Sequence, residues 1–276
     1  MNFIEAYDAV LATWPVPAEP LDVPSAYGTT HVNACGPADG PPLVLLHSGG
    51  ATSTVWFNNV GDLARTHRVY AVDLINDAGR SVPDGRPVRS REDLMGWLDA
   101  VCTGLGLATT ALCGHSYGGW IALSYALHAP ARISRLALLD PTLCFAGMAL
   151  TYRLHAIPLF ARPTPERIRA FYRWETGGVP LDPTWLELAG RTAEVPRRKI
   201  VMPHRPAPDR LLALRVPTVV LVAEKTRAHD PARVAANAKA LLPDVTTAVL
   251  PGATHHTIPM VDAARLNGAL TRFLGG

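Results

Sequence analysis

Six short apolar runs, separated by segments with helical spacing, set the first constraint on this chain. They are PLVLLHS (42–48), HRVYAVDL (67–74), TALCGHS (110–116), ISRLALLD (133–140), PTVVLVAE (217–224) and TTAVLPGA (246–253). Several carry Val and Leu at successive positions, so both faces of the extended chain are apolar. A strand of that kind needs cover on both sides, which a parallel sheet between helices provides. The segments 53–65, 90–105, 118–129, 231–242 and 259–274 have the spacing of helices. Residues 1–20 read as a leading helix that ends at the proline-rich WPVPAEP. Strand and helix in alternation predict an α/β fold with a mostly parallel, doubly wound sheet.

One interval breaks the rhythm. Between about 145 and 210 no long β run appears, while Tyr152, Phe160, Phe171, Tyr172, Trp174 and Trp185 cluster among prolines and arginines. A structureless loop of that length is improbable in a compact domain. The expected organisation is a core of residues 1–144 and 211–276 with a mainly helical cap, 145–210, inserted after the strand that ends at Asp140. Such an insertion lies over the strand ends where open α/β sheets bind ligands.

Charge and cysteine usage exclude several classes. The net charge is only +3 over 276 residues, and the one basic run, Arg197-Arg198-Lys199, reads as a solvated surface. No nucleic-acid partner is expected. No stretch of about 18 uninterrupted apolar residues exists, so no membrane span is expected. The N-terminal MNFIEAYDAVLATW carries Glu5 and Asp8 and does not read as a signal peptide. Cys35, Cys102, Cys113 and Cys144 share no metal-binding spacing and read as free thiols of a cytoplasmic protein. No metal or organic cofactor is expected, and the sequence sets no oligomeric state.

Gly114-His115-Ser116-Tyr117-Gly118 matches G-x-S-x-G. Its context is what makes it informative. It follows a predicted strand and opens a predicted helix, as a strained strand-to-helix turn bearing a nucleophile requires. Small residues two before and two after the serine let the chains approach closely. The helix N-terminus favours developing negative charge.

With these residues in view, the chain resembles the α/β-hydrolase family from about residue 27 to its C-terminus. The resemblance rests on LLHSGGATSTVW (45–56), YAVDLINDAGRS (70–81), GHSYGG (114–119) and LPGATHHTIPM (250–260). It implies Ser116 as nucleophile and His255, after the last predicted strand, as its base. His256 is the weaker candidate for base. His115 reads as pocket wall or packing. His31, His67, His128, His155 and His204 read as surface or satisfied core.

The family most often carries its acid after the penultimate strand, in a run like Gly-Glu-x-Asp. Here that run is Ala223-Glu224-Lys225-Thr226, and Thr226 cannot serve as the acid. Two substitutes stay open. Asp140 ends the fourth run, where lipases and haloalkane dehalogenases of the family place theirs. Asp230 precedes Pro231 and has an alternative role as a helix N-cap. Asp140 is therefore preferred. Asp73 and Asp77 follow an earlier strand and are weaker candidates. The resemblance also implies an oxyanion hole from the backbone amides of Gly49 and Tyr117, with Trp56 at the spacing that supports this register. Ser48, where the family reads glycine, is taken to tolerate the turn.

A serine nucleophile implies acyl transfer on a small or medium ester, thioester or lactone, with carbon–carbon bond hydrolysis also open. The competing reading is a hydrolase-like fold that binds a small molecule without turnover. The missing acid at Thr226 favours that reading, and the Ser116–His255 pair opposes it.

Overall fold

A computed structural model describes residues 1–196 and 198–275. Arg197 of the basic run lies outside the described residues. The elements in chain order are α1 (Phe3–Leu11), β1 (Glu19–Ser25), β2 (Gly28–Cys35), β3 (Pro42–Leu46), α2 (Val60–Leu63), β4 (Arg68–Val72), α3 (Arg91–Gly104), β5 (Thr110–His115), α4 (Tyr117–His128) and β6 (Ile133–Leu139). There follow α5 (Leu150–Ala161), α6 (Pro165–Glu175), α7 (Pro183–Arg191), α8 (Pro208–Ala213), β7 (Thr218–Ala223), α9 (Pro231–Leu241), β8 (Val245–Leu250) and α10 (Ala263–Gly275).

The eight strands form one sheet in the order β1-β2-β4-β3-β5-β6-β7-β8. Strands β3 to β8 pair in parallel, while β2 is antiparallel to both β1 and β4. The six apolar runs are these six parallel strands. Successive side chains of a strand face opposite ways, and β3 shows the consequence. Leu43 and Leu45 join the core under α1, α2 and α10, whereas Val44 and Leu46 join the core under α3, α4 and α9. All four are fully buried, and burying one such side chain stabilises by about 2 kcal/mol.

Four elements differ from expectation. The helix expected over 53–65 is a 3-10 helix, Ser53–Asn58, followed by the short α2. The leading helix spans only Phe3–Leu11, and β1 and β2 follow it. The strand expected to end at Asp140 stops at Leu139, because Asp140 turns to φ 42. The last helix begins at Ala263 rather than 259, since Thr257–Asp262 form turns.

Between β6 and β7 the described residues contain helices and no strand. Aromatic side chains of α5 and α6 pack against the histidines that follow β8. Farther along, the carbonyls of Val201 and His204 accept hydrogen bonds from Tyr117 Oη and Trp120 Nε1, which ties this segment down onto α4. Among the described residues no helix is long and apolar enough to cross a membrane.

Candidate active site

The chain passes from β5 to α4 through a single residue, Ser116, held at φ 56. Left-handed backbone at a non-glycine residue costs about 1–3 kcal/mol and persists only where its surroundings enforce it. Two glycines permit the turn. A Cβ on Gly114 would lie 2.2 Å from the Gly118 carbonyl oxygen, and one on Gly118 would lie 2.4 Å from that of Leu46. Both obstacles are backbone, which cannot swing aside. Gly118→Ala is therefore expected to destabilise the fold by about 3 kcal/mol, read as a lowered Tm in thermal unfolding.

Ser116 Oγ lies 2.7 Å from His255 Nε2, and His255 Nδ1 lies 2.6 Å from Asp140 Oδ2. An ionised carboxylate only accepts, so the Asp140 contact places the imidazole proton on Nδ1. Nε2 is then a bare acceptor facing the serine hydroxyl. A second hydroxyl, Thr142 Oγ1, stands 3.0 Å from Ser116 Oγ. With the serine proton directed at His255, Thr142 is the donor in that contact. Ser116 is 7% exposed, His255 1% and Asp140 0%, so the whole relay is screened from bulk water.

Asp140 Oδ1 accepts from Ala223 N (3.0 Å) and His229 Nε2 (3.0 Å), and Oδ2 accepts from Thr226 Oγ1 (2.7 Å) as well as from His255. Burial alone would raise its pKa. Hydrogen bonds and charge from His229, then His255, outweigh burial and hold the carboxyl well below the usual range. Burial would likewise lower the pKa of His255. The Asp140 hydrogen bond and charge, aided by Glu175, overcome it and raise the imidazole above its ordinary value.

The two neighbouring histidines are held neutral. Burial, then the charge of His255, pushes His115 down to about 3, and its Nε2 donates to the His255 carbonyl at 2.7 Å. Burial and His255 also depress His256, whose Nε2 meets Tyr152 Oη at 3.0 Å. Neither ring bonds the serine. Asp230 caps α9, accepting from Arg233 N at 3.1 Å. Asp73 accepts from Tyr7 Oη, Ser53 N and Arg80 N, and Asp77 Oδ2 accepts from Gly50 N.

Gly49 and Tyr117 are brought together across the mouth of the elbow. A Cβ on Gly49 would touch Tyr117 Cβ at 3.6 Å. Tyr117 is the first residue of α4, so its N–H has no intrahelical acceptor. The Gly49 loop is tethered from two sides. His47 Nδ1 donates to the Ser48 carbonyl while its Nε2 accepts from Leu74 N, and Gly50 N–H donates to Asp77. The backbone amides at these two positions, neither with an acceptor among the described residues, can stabilise an oxyanion formed at the serine.

A sequence profile of the alpha/beta hydrolase family matches residues 43–269, which contain every residue of this relay. The chain belongs to the α/β-hydrolase family. The uncharacterized carboxylesterase nap of Bacillus subtilis (strain 168) is 29% identical over 281 residues, covering 99% of this chain and 92% of that protein. Carboxylesterase YbfK of the same organism is 34% identical over 177 residues, 64% of this chain and 58% of its own length. Among solved structures, naproxen esterase (carboxylesterase NP) from Bacillus subtilis superposes with a TM-score of 0.92 at 28% identity, covering 99% of this chain and 97% of that one.

This α/β-hydrolase also places at the site residues with no role expected from the sequence. Thr142 and His229 meet Ser116 or Asp140 as given above, and Thr226, expected only as a missing acid, bonds Asp140. Glu175, the last residue of α6, is fully buried. Its carboxylate accepts from the backbone N–H of His255 (3.0 Å) and His256 (3.2 Å) and from Thr254 Oγ1 (2.9 Å). Burial raises its pKa. The one available signal was a carboxylate inside the aromatic segment FYRWE, which has no neighbouring lysine or arginine at helical spacing to explain its burial.

Proposed function

We propose that this α/β-hydrolase is a serine carboxylesterase that cleaves a small or medium ester beneath a cap formed by residues 145–210 on a core of 1–144 and 211–276. The observation that carries the reading is the continuous relay Ser116–His255–Asp140, with contacts of 2.7 and 2.6 Å. Similarity along the full length to proteins named as carboxylesterases supports an ester as the substrate. The four free, buried cysteines accord with a cytoplasmic location.

The steps follow from the geometry. Ser116 Oγ attacks the ester carbonyl carbon while its proton passes to His255 Nε2. The carbonyl π electrons move to oxygen, and the amides of Gly49 and Tyr117 receive that charge. When the tetrahedral intermediate collapses, the carbon–oxygen bond to the alcohol breaks. His255 gives its proton to the departing oxygen. Water then attacks the acyl-enzyme, His255 takes a proton from it, and collapse frees the acid and returns the proton to Ser116. Asp140 stays ionised throughout and stabilises the imidazolium.

The base must be neutral to act. A raised His255 pKa therefore means that activity is lost as pH falls through a value above the ordinary histidine range of about 6.5. The acid limb of kcat/KM against pH is expected on the alkaline side of that value. A limb at or below it contradicts the assigned pairing of His255 with Asp140.

The reading as a whole is tested with a panel of aryl esters and a fluorophosphonate probe. Turnover of short-chain esters and a probe adduct mapped to Ser116 are expected. No turnover on the panel together with no adduct contradicts it and leaves a binding protein.

A further inference from the structure

Thr226 and His229 take no part in the acyl-transfer steps, yet both bond the same carboxylate from the loop after β7. We infer that they are positioning residues, which clamp Asp140 in register with the His255 ring. The inference rests on the esterase reading for its kinetic consequences.

A carboxylate has room for about four hydrogen bonds. Asp140 receives four, from Ala223 N, His229 Nε2, Thr226 Oγ1 and His255 Nδ1. Each oxygen has two, and only the Ala223 donor is backbone. The two donors on Oδ1 fix the rotation of the carboxylate, and Oδ2 is thereby aimed at His255. Asp140 needs such support because it stands on a strained turn. Its φ is 42, and Leu143 three residues on is at φ 54.

Both clamp residues are committed to the carboxylate by their own surroundings. Thr226 Oγ1 accepts from Ala228 N at 3.2 Å, which leaves its proton for Asp140 Oδ2. His229 is buried, and its Nδ1 has no hydrogen-bond partner among the described residues. A ring that merely filled space would gain by turning a carbon there. Instead its one useful nitrogen, Nε2, is turned to Oδ1, edge-on to the His255 ring at 6.1 Å between centroids. The loop after β7 supplies two donors to an acid that stands one strand away.

Each donor draws charge from Asp140 and so weakens its hold on the His255 proton. Removing one has two effects. The carboxylate loses orientation, and the charge left on Oδ2 holds the imidazolium more strongly. The other groups facing this pair are Ser116 at Nε2, Glu175 at the His255 backbone, and the rings of His115, His256 and Tyr152 around His255. None of these is altered by a change at 226 or 229.

The test compares Thr226→Val, Thr226→Ser and His229→Phe in the full chain. Thr226→Val and His229→Phe are each expected to lower kcat about tenfold or more, with KM within about threefold. Both should move the acid limb of kcat/KM to higher pH. Thr226→Ser, which keeps the hydroxyl, should return kcat to within about twofold of the parent and restore the limb. An NMR titration of the His255 ring gives the same comparison without turnover and should show the imidazole more basic in Thr226→Val. If the esterase reading fails, the parent turns over no ester, yet the NMR comparison still decides the clamp. An unmoved His255 titration in folded Thr226→Val overturns it, as does kcat retained within about twofold with the limb in place. Should His229→Phe not fold, the Thr226 pair carries the test.

Discussion

Ser116→Ala is expected to lower kcat on aryl esters by about a millionfold, the order seen when a serine nucleophile of this kind is removed elsewhere. The loss is large because no other hydroxyl is equipped to replace it. Thr142 Oγ1 lies 3.0 Å from Ser116 Oγ, but among the described residues the hydroxyl facing His255 Nε2 is that of Ser116. His255 stays bonded to Asp140 through Nδ1 whether or not the serine is there. Only the bonds of one hydroxyl are removed, so the variant should fold. Residual hydrolysis well above the uncatalysed rate is expected, since the Gly49 and Tyr117 amides remain. The decisive comparison is single-turnover kinetics of the variant and parent at matched stability.

Asp140→Asn should cost about 10⁴ in turnover, and Asp230→Asn almost nothing. The reason lies in which end of the asparagine amide faces His255. On the Oδ1 side sit the fixed Ala223 N–H and His229, both donors. The amide oxygen is drawn to that side, and its NH₂ group then faces His255 Nδ1. An NH₂ donor there selects the tautomer with the proton on Nε2. That imidazole cannot accept the proton of Ser116. Asp230, by contrast, caps α9 by accepting from Arg233 N, and asparagine is as good an N-cap as aspartate. Steady-state kinetics and thermal unfolding of the two variants separate a change in chemistry from a change in folding.

Much of the scaffold could be read before the structure. Strands β3 to β7 announced themselves because a strand covered on both faces must be apolar at nearly every position, and β8 did so by its VTTAVL run although it lies mostly exposed at the sheet edge. Strands β1 and β2 did not. EPLDVPS carries two prolines and lies mostly exposed at the sheet edge, while GTTHVNAC buries polar residues whose hydrogen-bond partners come from distant parts of the chain. Asn33, for instance, donates to Tyr7 of α1 and to Ser53, which opens a short 3-10 helix after β3. Nothing local to residue 33 predicts those partners.

The site divides along the same line. Ser116 and Gly114 were legible because the strained turn imposes a local pattern on the sequence. Asp140 and Asp230 could be told apart only by degree, since each is an aspartate beside a proline at the edge of a regular element. The structure separates them by distance, with Asp140 on the His255 ring and Asp230 on a helix cap. Thr226 was legible only as a missing acid. Its hydroxyl, like His229 and Glu175, acquires meaning when the loops after β6, β7 and β8 and the end of α6 meet at one carboxylate and one histidine loop. Those contacts span up to 115 residues of sequence, as between Asp140 and His255, and no periodicity encodes them.

Ester turnover through Ser116 requires its covalent acylation. It is tested most directly by mixing the enzyme with p-nitrophenyl acetate, quenching in acid within the first turnovers, and mapping the adduct by peptide mass spectrometry. An acetyl group is expected on the peptide containing Ser116, accompanied by a burst of p-nitrophenol that matches the enzyme concentration. Turnover of the ester with the acetyl group on another residue, or with no burst and no acylated peptide in either the parent or a variant slowed in deacylation, would contradict it.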